Sequence, residues 1–369
     1  MSNESRNIII VMYLLIAVGI VMIYSASAVF SDQIFGSATY FFRRQLFYLV
    51  LGTLVFCACM GIDPDWLQKH SRRLVISAIL FLALVFIPGI GHTGGGARRW
   101  IGLSAFNFQP VEFGKLAICL YLSDYLTRKI KPLTEGEPSV LVPPLAVLLV
   151  VLSLLIVQPD LGSCIFIVLV SGILFFLAGI KPRYIIIAVI PVLAAVSVLI
   201  IKAPYRLNRI VAFLDPWKDP SGSGFQIIQS FVAFASGGWK GVGLGESTQK
   251  LFYLPQSYTD FIFSIIGEEL GFMGACTVLL LYGVFFLLGI RISGKCREPF
   301  YRLFSYSLVL IVTLQALINV LVTIGLIPTK GLPLPFVSYG GTSLIFNMTA
   351  VGLLVAIDRK SASRSFHHE

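Results

Sequence analysis

The chain has 369 residues, of which 57% are hydrophobic and only 12% charged, with a formal net charge of +10. That balance excludes a soluble globular domain and a disordered chain. Apolar runs recur at about the 18–20 residues needed to cross a hydrocarbon core of roughly 30 Å, so the expected fold is an all-α polytopic membrane protein forming a single membrane domain.

Ten spans are predicted in chain order: Ile8–Phe30, Gln45–Ile62, Leu74–Ile90, Phe108–Leu126, Val140–Val157, Leu161–Ile180, Tyr184–Ile201, Phe261–Ile290, Leu303–Ile327 and Leu334–Ile357. The first, followed by the small residues Ser25–Ala28, is also compatible with a cleavable leader, but its apolar stretch is long for one and favours an uncleaved anchor. Short loops rich in Lys and Arg stay in the cytoplasm. Arg6, Lys69/Arg72/Arg73, Arg128/Lys129/Lys131, Lys181/Arg183, Arg291/Lys295/Arg297/Arg302 and Arg359/Lys360/Arg364 therefore place both termini inside. The positive charge then reports topology and attraction to anionic lipid, and nucleic acid is not needed to explain it. Cys57, Cys59, Cys119, Cys164 and Cys276 fall in spans and Cys296 in an inner loop, which suggests neither a disulfide framework nor a zinc site.

Polar residues at membrane depth single out candidate sites. The outer loop GHTGGGARRWIGL carries Arg98 and Arg99 where topology does not need them; guanidinium suits phosphate, whether of a substrate or of lipid headgroups, and Trp100 suits an interfacial belt. In span four, Glu112 and Lys115 lie three apart on one helix face, either a structural ion pair or the lining of a polar cavity. The turn QPDLG puts Gln158 and Asp160 at the membrane boundary, where Asp160 suits an N-cap. About sixty residues from Lys202 to Asp260 form the long outer loop, with an interfacial helix around Ile227–Phe234. Asp260 opens an apolar run and reads as a helix cap or a catalytic acid. Pro328, Pro333 and Pro335, with Gly340 and Gly341, suggest an unwound element beside a cavity.

Taken together, GARRWIGL, FQPVEFGK, QPDLG, DPWKDPSGSGFQIIQS, GGWKGVGLGESTQKLFYLP, TDFIF, GEELG and PTKGLPLPFVSYGGTSL resemble the shape, elongation, division and sporulation (SEDS) proteins over nearly the whole chain. RRWIGL, DPWKDP and PTKGL are more similar to the FtsW and SpoVE members than to RodA. The resemblance implies a peptidoglycan glycosyltransferase of the bacterial cytoplasmic membrane that polymerises lipid II at the outer face. It implies Asp260 as the catalytic carboxylate, and substrate contacts at Arg98, Arg99, Trp100, Glu112, Lys115, Gln158, Asp160, Gln226, Lys250 and Ser338. The cofactor expectation is at most a weakly bound divalent cation, Mg²⁺ or Mn²⁺, since no dedicated cage is legible. Expected partners are a class B penicillin-binding protein, which would supply the missing transpeptidase, and division or elongation complex proteins. Gly271, Gly274 and Ala275 offer that partner's helix a small-residue face. The chain departs from the usual family pattern at Val111, Gln256 and Tyr258, which removes a hydroxyl, an acid and an imidazole. A lipid II transporter and a noncatalytic scaffold are the competing readings, and a transporter would need access from both sides.

Overall fold

The computed structural model describes residues 1–94, 97–103, 106–130, 137–187, 190, 204–251, 253–255 and 257–366. The helices are α1 Asn3–Phe35, α2 Tyr40–Gly61, α3 Pro64–Leu84, α4 Pro110–Arg128, α5 Val142–Val157, α6 Leu161–Leu177, α7 Pro204–Leu214, α8 Phe225–Gly237, α9 Ile262–Glu269, α10 Gly271–Lys295, α11 Pro299–Thr323 and α12 Gly341–Phe366. Their ends follow local chemistry. Ser2 caps α1 by accepting from the Ser5 amide, Asp63 caps α3, and Pro64 and Pro110 occupy first-turn positions where no backbone donor is missed.

Among the described residues six helices are long and apolar enough to cross a membrane, at Asn3–Phe35, Tyr40–Gly61, Ser139–Val157, Gly271–Lys295, Pro299–Thr323 and Gly341–Ser363. Helices α3, α4 and α6 occupy predicted spans three, four and six but are shorter or carry more charge. Most of predicted span seven, from residue 188 on, lies outside the described residues apart from Ile190. The interfacial helix expected around Ile227–Phe234 is α8.

Three expectations are corrected. The fold is not purely helical: β1 Gly91–Gly94, β2 Ala97–Leu103 and β3 Phe106–Phe108 form an antiparallel meander between α3 and α4. Predicted span eight is broken, because α9 ends at Glu269 and α10 restarts at Gly271 with φ +69, a left-handed conformation that glycine adopts without strain. Predicted span ten begins later, at Gly341, and residues 328–340 run non-helically into it.

The break at Gly271 also takes that residue out of the expected small-residue face. A Cβ on Gly271 would stand 2.3 Å from the Gly241 amide nitrogen, so the chain's own 239–243 segment already covers it. That segment is held there by backbone bonds from Val242 to Glu268 and from Phe272 to Gly238. Its anchor is electrostatic. Glu268 accepts from the Ser247 hydroxyl and the Thr248 amide, while Glu269 pairs with Lys250 at 3.0 Å and accepts from Ser25 of α1 at 2.6 Å.

The two ends of the bundle differ. At one pole Ser5 donates to Asp358 (2.6 Å), Lys295 pairs with Glu4 (2.7 Å), Lys360 with Asp63 (3.1 Å), and Tyr301 donates to Asp65 (2.5 Å). This pole therefore gathers both termini and the α2–α3 and α10–α11 turns. The sheet, the start of α4 and the start of α12 meet at the other pole, where Thr342 accepts from the Gln109 amide and donates to the Asn107 carbonyl.

Gly271→Ala forces a Cβ into backbone and a side chain into a left-handed φ, and is expected to lower stability by more than about 1 kcal/mol. Thermal unfolding of the detergent-solubilised variant measures it, and an unchanged midpoint would show that the break does not need glycine.

Candidate active site

A cavity of about 630 Å³ opens at the second pole, and its wall is assembled from segments far apart in sequence. Tyr40, Arg44 and Tyr48 come from α2, His92, Arg99 and Trp100 from the sheet, Arg209 from α7 and Gln226 from α8. Asp260, Lys330 and Gly331 complete it from the two irregular segments that precede α9 and α12.

Asp260 is held by its backbone while its side chain is left free. Its carbonyl accepts from Asn319 Nδ2 at 2.8 Å, and the same amide donates to the Leu332 carbonyl at 2.8 Å. One residue earlier, the Thr259 carbonyl accepts from the Ser338 hydroxyl at 2.6 Å, and the Tyr339 amide reaches the Tyr258 carbonyl at 2.9 Å. The 257–261 turn is thus stitched to the 330–339 segment. Gly331 faces the acid closely, since a Cβ there would stand 3.2 Å from Asp260 Oδ2. The helix-cap reading of Asp260 fails: Phe261 occupies the N-cap of α9 with no side-chain bond, and the Asp260 carboxylate accepts none among the described residues.

Its electrostatics suit proton transfer. Burial raises the carboxyl from 3.8 to about 6, against the opposing pull of Arg209 and Arg99. Lys330, with no carboxylate partner among the described residues, is lowered by desolvation. Arg44 is fixed by donating to the hydroxyls of Tyr40 (2.9 Å) and Tyr48 (3.1 Å). One carboxylate therefore faces several cations, an arrangement able to take a proton while holding a polyanion.

The cavity brings together four of the residues expected from sequence, Asp260, Arg99, Trp100 and Gln226, and leaves the others elsewhere. A bulge decides between the arginines. Pairing steps from His92↔Trp100 to Thr93↔Arg98, so Arg99 is the extra residue of β2 and turns, with Trp100, to the cavity. Arg98 does not line it. Arg99 donates to the carbonyls of Gln158 and Pro159 and stands 3.9 Å from Asp160. Gln158 and Asp160 therefore lie beside Arg99 outside the cavity lining: Gln158 also donates to the Leu82 carbonyl, and Asp160 caps α6 through Ser163. Lys250 is spent on Glu269, and Ser338 on the backbone of Thr259 and Leu334.

Glu112 and Lys115 pair at 2.8 Å but lie behind the wall, 4% and 2% exposed. Lys115 also donates to Gln315 Oε1 (2.8 Å) and stands over the Phe166 ring, and Gln315 donates onward to the carbonyl of Pro333, a wall residue (2.9 Å). Their geometry is that of a brace. The residues that sequence reasoning missed are Arg44, His92, Arg209 and Lys330. Arg44 carried the same signal as Arg98, a basic residue in an outer segment, and Lys330 stands inside the quoted PTKGL. His92 brings an imidazole to the cavity from a different element, whereas Tyr258 packs among Phe30, Phe41 and Tyr339; Gln256 lies outside the described residues.

The family model of the FtsW, RodA and SpoVE cell cycle proteins matches residues 5–363. The chain belongs to this family. It is 42% identical over 345 residues to the probable peptidoglycan glycosyltransferase FtsW of Geobacter sulfurreducens, covering 93% of this chain and 91% of that one. It is 40% identical over 354 residues to the stage V sporulation protein E of Bacillus subtilis, covering 96% of both. Among solved structures, a chain of a peptidoglycan synthase complex that coordinates polymerization and crosslinking is 28% identical, with TM-score 0.77 over 96% of this chain and 97% of that one. The rod shape determining protein RodA of Thermus thermophilus is 25% identical, with TM-score 0.71 over 96% of both chains. An FtsW/RodA/SpoVE chain spanning the membrane many times thus carries its unpaired acid at one end of the bundle.

Lys115→Met strands the buried Glu112 charge and is expected to cost roughly 3–5 kcal/mol, with most recovered in Glu112→Gln/Lys115→Met. Thermal unfolding of the three proteins tests the brace; a single variant as stable as wild type would refute it. For Asp260, a folded-state value near 6 against the ordinary 3.8 means that ionisation opposes folding above pH 6 and ceases to matter below 3.8. Asp260→Asn should therefore raise the unfolding midpoint at pH 8, with the gain shrinking as pH falls towards 4; an unchanged or lower midpoint at pH 8 would refute the raised carboxyl.

Proposed function

We propose that the cavity polymerises lipid II into glycan strands at the outer face of the bacterial cytoplasmic membrane. The chain is then a peptidoglycan glycosyltransferase, the activity for which its FtsW relatives are named, while its Bacillus subtilis relative is named for stage V of sporulation. What carries the reading is the Asp260 carboxylate, free of hydrogen bonds, desolvated and facing Arg99, Arg209 and Lys330 in one cavity.

In the reaction an acceptor sugar hydroxyl attacks the donor anomeric carbon. Asp260 takes the hydroxyl proton as the new carbon–oxygen bond forms. The bond to the pyrophosphate breaks, its electron pair leaving on a phosphate oxygen, and attack opposite the leaving group inverts the anomeric centre. Arg99, Arg209 and Lys330 compensate the charge that develops there. Trp100 and Gln226 lie where sugar or lipid would contact the wall. Asp260 is the one carboxylate among the described lining residues, so a divalent cation would find a single protein carboxylate and take most of its ligands from substrate phosphate and water. Such an ion would supply further neutralisation of the pyrophosphate.

In this reading the chain is one membrane domain crossing ten times, with both termini at the charged pole in the cytoplasm and the long loop 202–260 outside. A buried polar brace of Glu112, Lys115 and Gln315 behind the cavity wall favours an enzyme open at one face over a transporter open at both. Glycan without cross-links bears no load, so a class B penicillin-binding protein is the expected partner, alongside other division proteins. Its helix needs a face that does not include Gly271, which the 239–243 segment covers.

Purified protein incubated with lipid II, alone and with the cognate transpeptidase, should yield polymer by product sizing, and more of it in the complex. Asp260→Asn should reduce polymerisation by at least about 10²-fold, and wild-type kcat/KM should fall as pH drops through about 6, where the base protonates. Polymerisation by Asp260→Asn at the wild-type rate would overturn the assignment, and translocation without polymer would favour the transporter.

A further inference from the structure

The charged pole contains a second cavity that the glycosyl transfer reaction does not use. It measures about 440 Å³ and lies between α3 and α4, lined among others by Asp65, Lys69, Ser71, Arg72, Asp124 and Arg128. Both of its carboxylates are already engaged. Asp124, 3% exposed, accepts from the Ser71 hydroxyl at 2.5 Å and from Arg128 at 2.7 Å. Asp65 accepts from Tyr301 at 2.5 Å and pairs with Lys360 at 3.4 Å. Lys69 and Arg72, one turn apart on α3, have no carboxylate partner among the described residues, and both are exposed at the mouth. The cavity therefore presents two uncommitted cations, with Arg128 oriented beside them by its bond to Asp124.

The depth of the cavity in the membrane is marked independently. Trp66, one turn before His70 on the same helix, stacks on that imidazole at 4.3 Å between ring centroids and remains 51% exposed. A half-exposed tryptophan at the end of a spanning helix sits at headgroup level. Basic pockets between helices at that level are suited to the phosphodiester of an anionic lipid, because guanidinium and ammonium groups donate to its oxygens while the acyl chains stay in the bilayer.

We infer that the cavity between α3 and α4 at the charged pole is a binding site for the headgroup of an anionic phospholipid, held by Lys69, Arg72 and Arg128. Lys69 and Arg72 supply the donors that distinguish the phosphate, and Asp124 holds Arg128 in place. The site lies at the pole opposite Asp260, so its lipid differs in place and in chemistry from the polyprenyl pyrophosphate of the reaction.

The test uses the full chain in neutral detergent micelles, followed by native mass spectrometry with dioleoyl phosphatidylglycerol, dioleoyl phosphatidylcholine or free glycerol phosphate added. Wild type should retain phosphatidylglycerol in preference to phosphatidylcholine, and free glycerol phosphate should not displace it. Lys69→Gln/Arg72→Gln should bind phosphatidylglycerol roughly thirtyfold more weakly, since the two cations at about 1 kcal/mol each contribute about 2 kcal/mol to such binding. Arg73→Gln, on the same helix but outside the cavity, should bind like wild type. Equal retention of the two lipids by wild type overturns the inference without any variant. Displacement by glycerol phosphate would overturn it in favour of a soluble anion, and undiminished binding by the double variant would place the lipid elsewhere. Because micelles impose no sidedness and no lipid II is present, these outcomes are independent of the polymerase reading.

Discussion

The architecture depends on one amide. Asn319, 1% exposed on α11, donates to the carbonyls of Asp260 and Leu332, and so joins two irregular segments that neither helix nor sheet would satisfy. Backbone carbonyls at this depth cost several kcal/mol if left without donors, so non-helical chain persists there only where protein supplies them or water reaches in. Ser338 does the same for Thr259. The irregular segments before α9 and α12 are tolerable because these side chains stand between them, and both segments contribute to the cavity wall.

Fixing the backbone leaves the side chain free to be unfavourable. A half-buried carboxylate that accepts no hydrogen bond among the described residues is the kind of local cost that a fold sustains only when the neighbours over-determine the position. Here the neighbours do so from two directions: Asn319 and Ser338 hold the chain on either side of the acid, while Gln315, itself held by Lys115, fixes Pro333 in the opposing wall. The intramembrane ion pair and the cavity thus belong to one polar system, although the pair does not line the cavity.

Much of this was legible in the sequence. Apolar run length marks the long helices, six of which are apolar enough to cross a membrane among the described residues, and the dispersed motifs mark the family. What one dimension hides is convergence. Arg44, Arg209 and Lys330 are separated by more than a hundred residues each and meet only because α2, α7 and the 328–340 segment share a wall. Arg98 and Arg99 look equivalent as letters, and a single bulge, invisible in composition, separates them. Glu112 and Lys115 were recognisable as a pair, but only the position of Gln315 two hundred residues on tells a brace from a substrate contact. Lys250 illustrates the opposite error, a buried cation whose partners, Glu269 and Ser25, come from helices that had been assigned no part in the outer loop.

The contact between Ser25 and Glu269 spans 244 residues, from the first helix to the turn before α10. During synthesis at about 5–20 residues per second, α1 leaves the ribosome roughly 12 to 50 seconds before its partner exists. Throughout that interval Ser25 waits without Glu269, although α2, made directly after α1, can already pack against it. A long and almost uninterrupted apolar helix tolerates such a wait, and the polar contacts that will lock the outer loop are made late, once the middle of the chain has been inserted. The Ser25–Glu269–Lys250 lock at the cavity end can therefore close only once the ribosome has passed residue 269, long after α1 and α2 have paired.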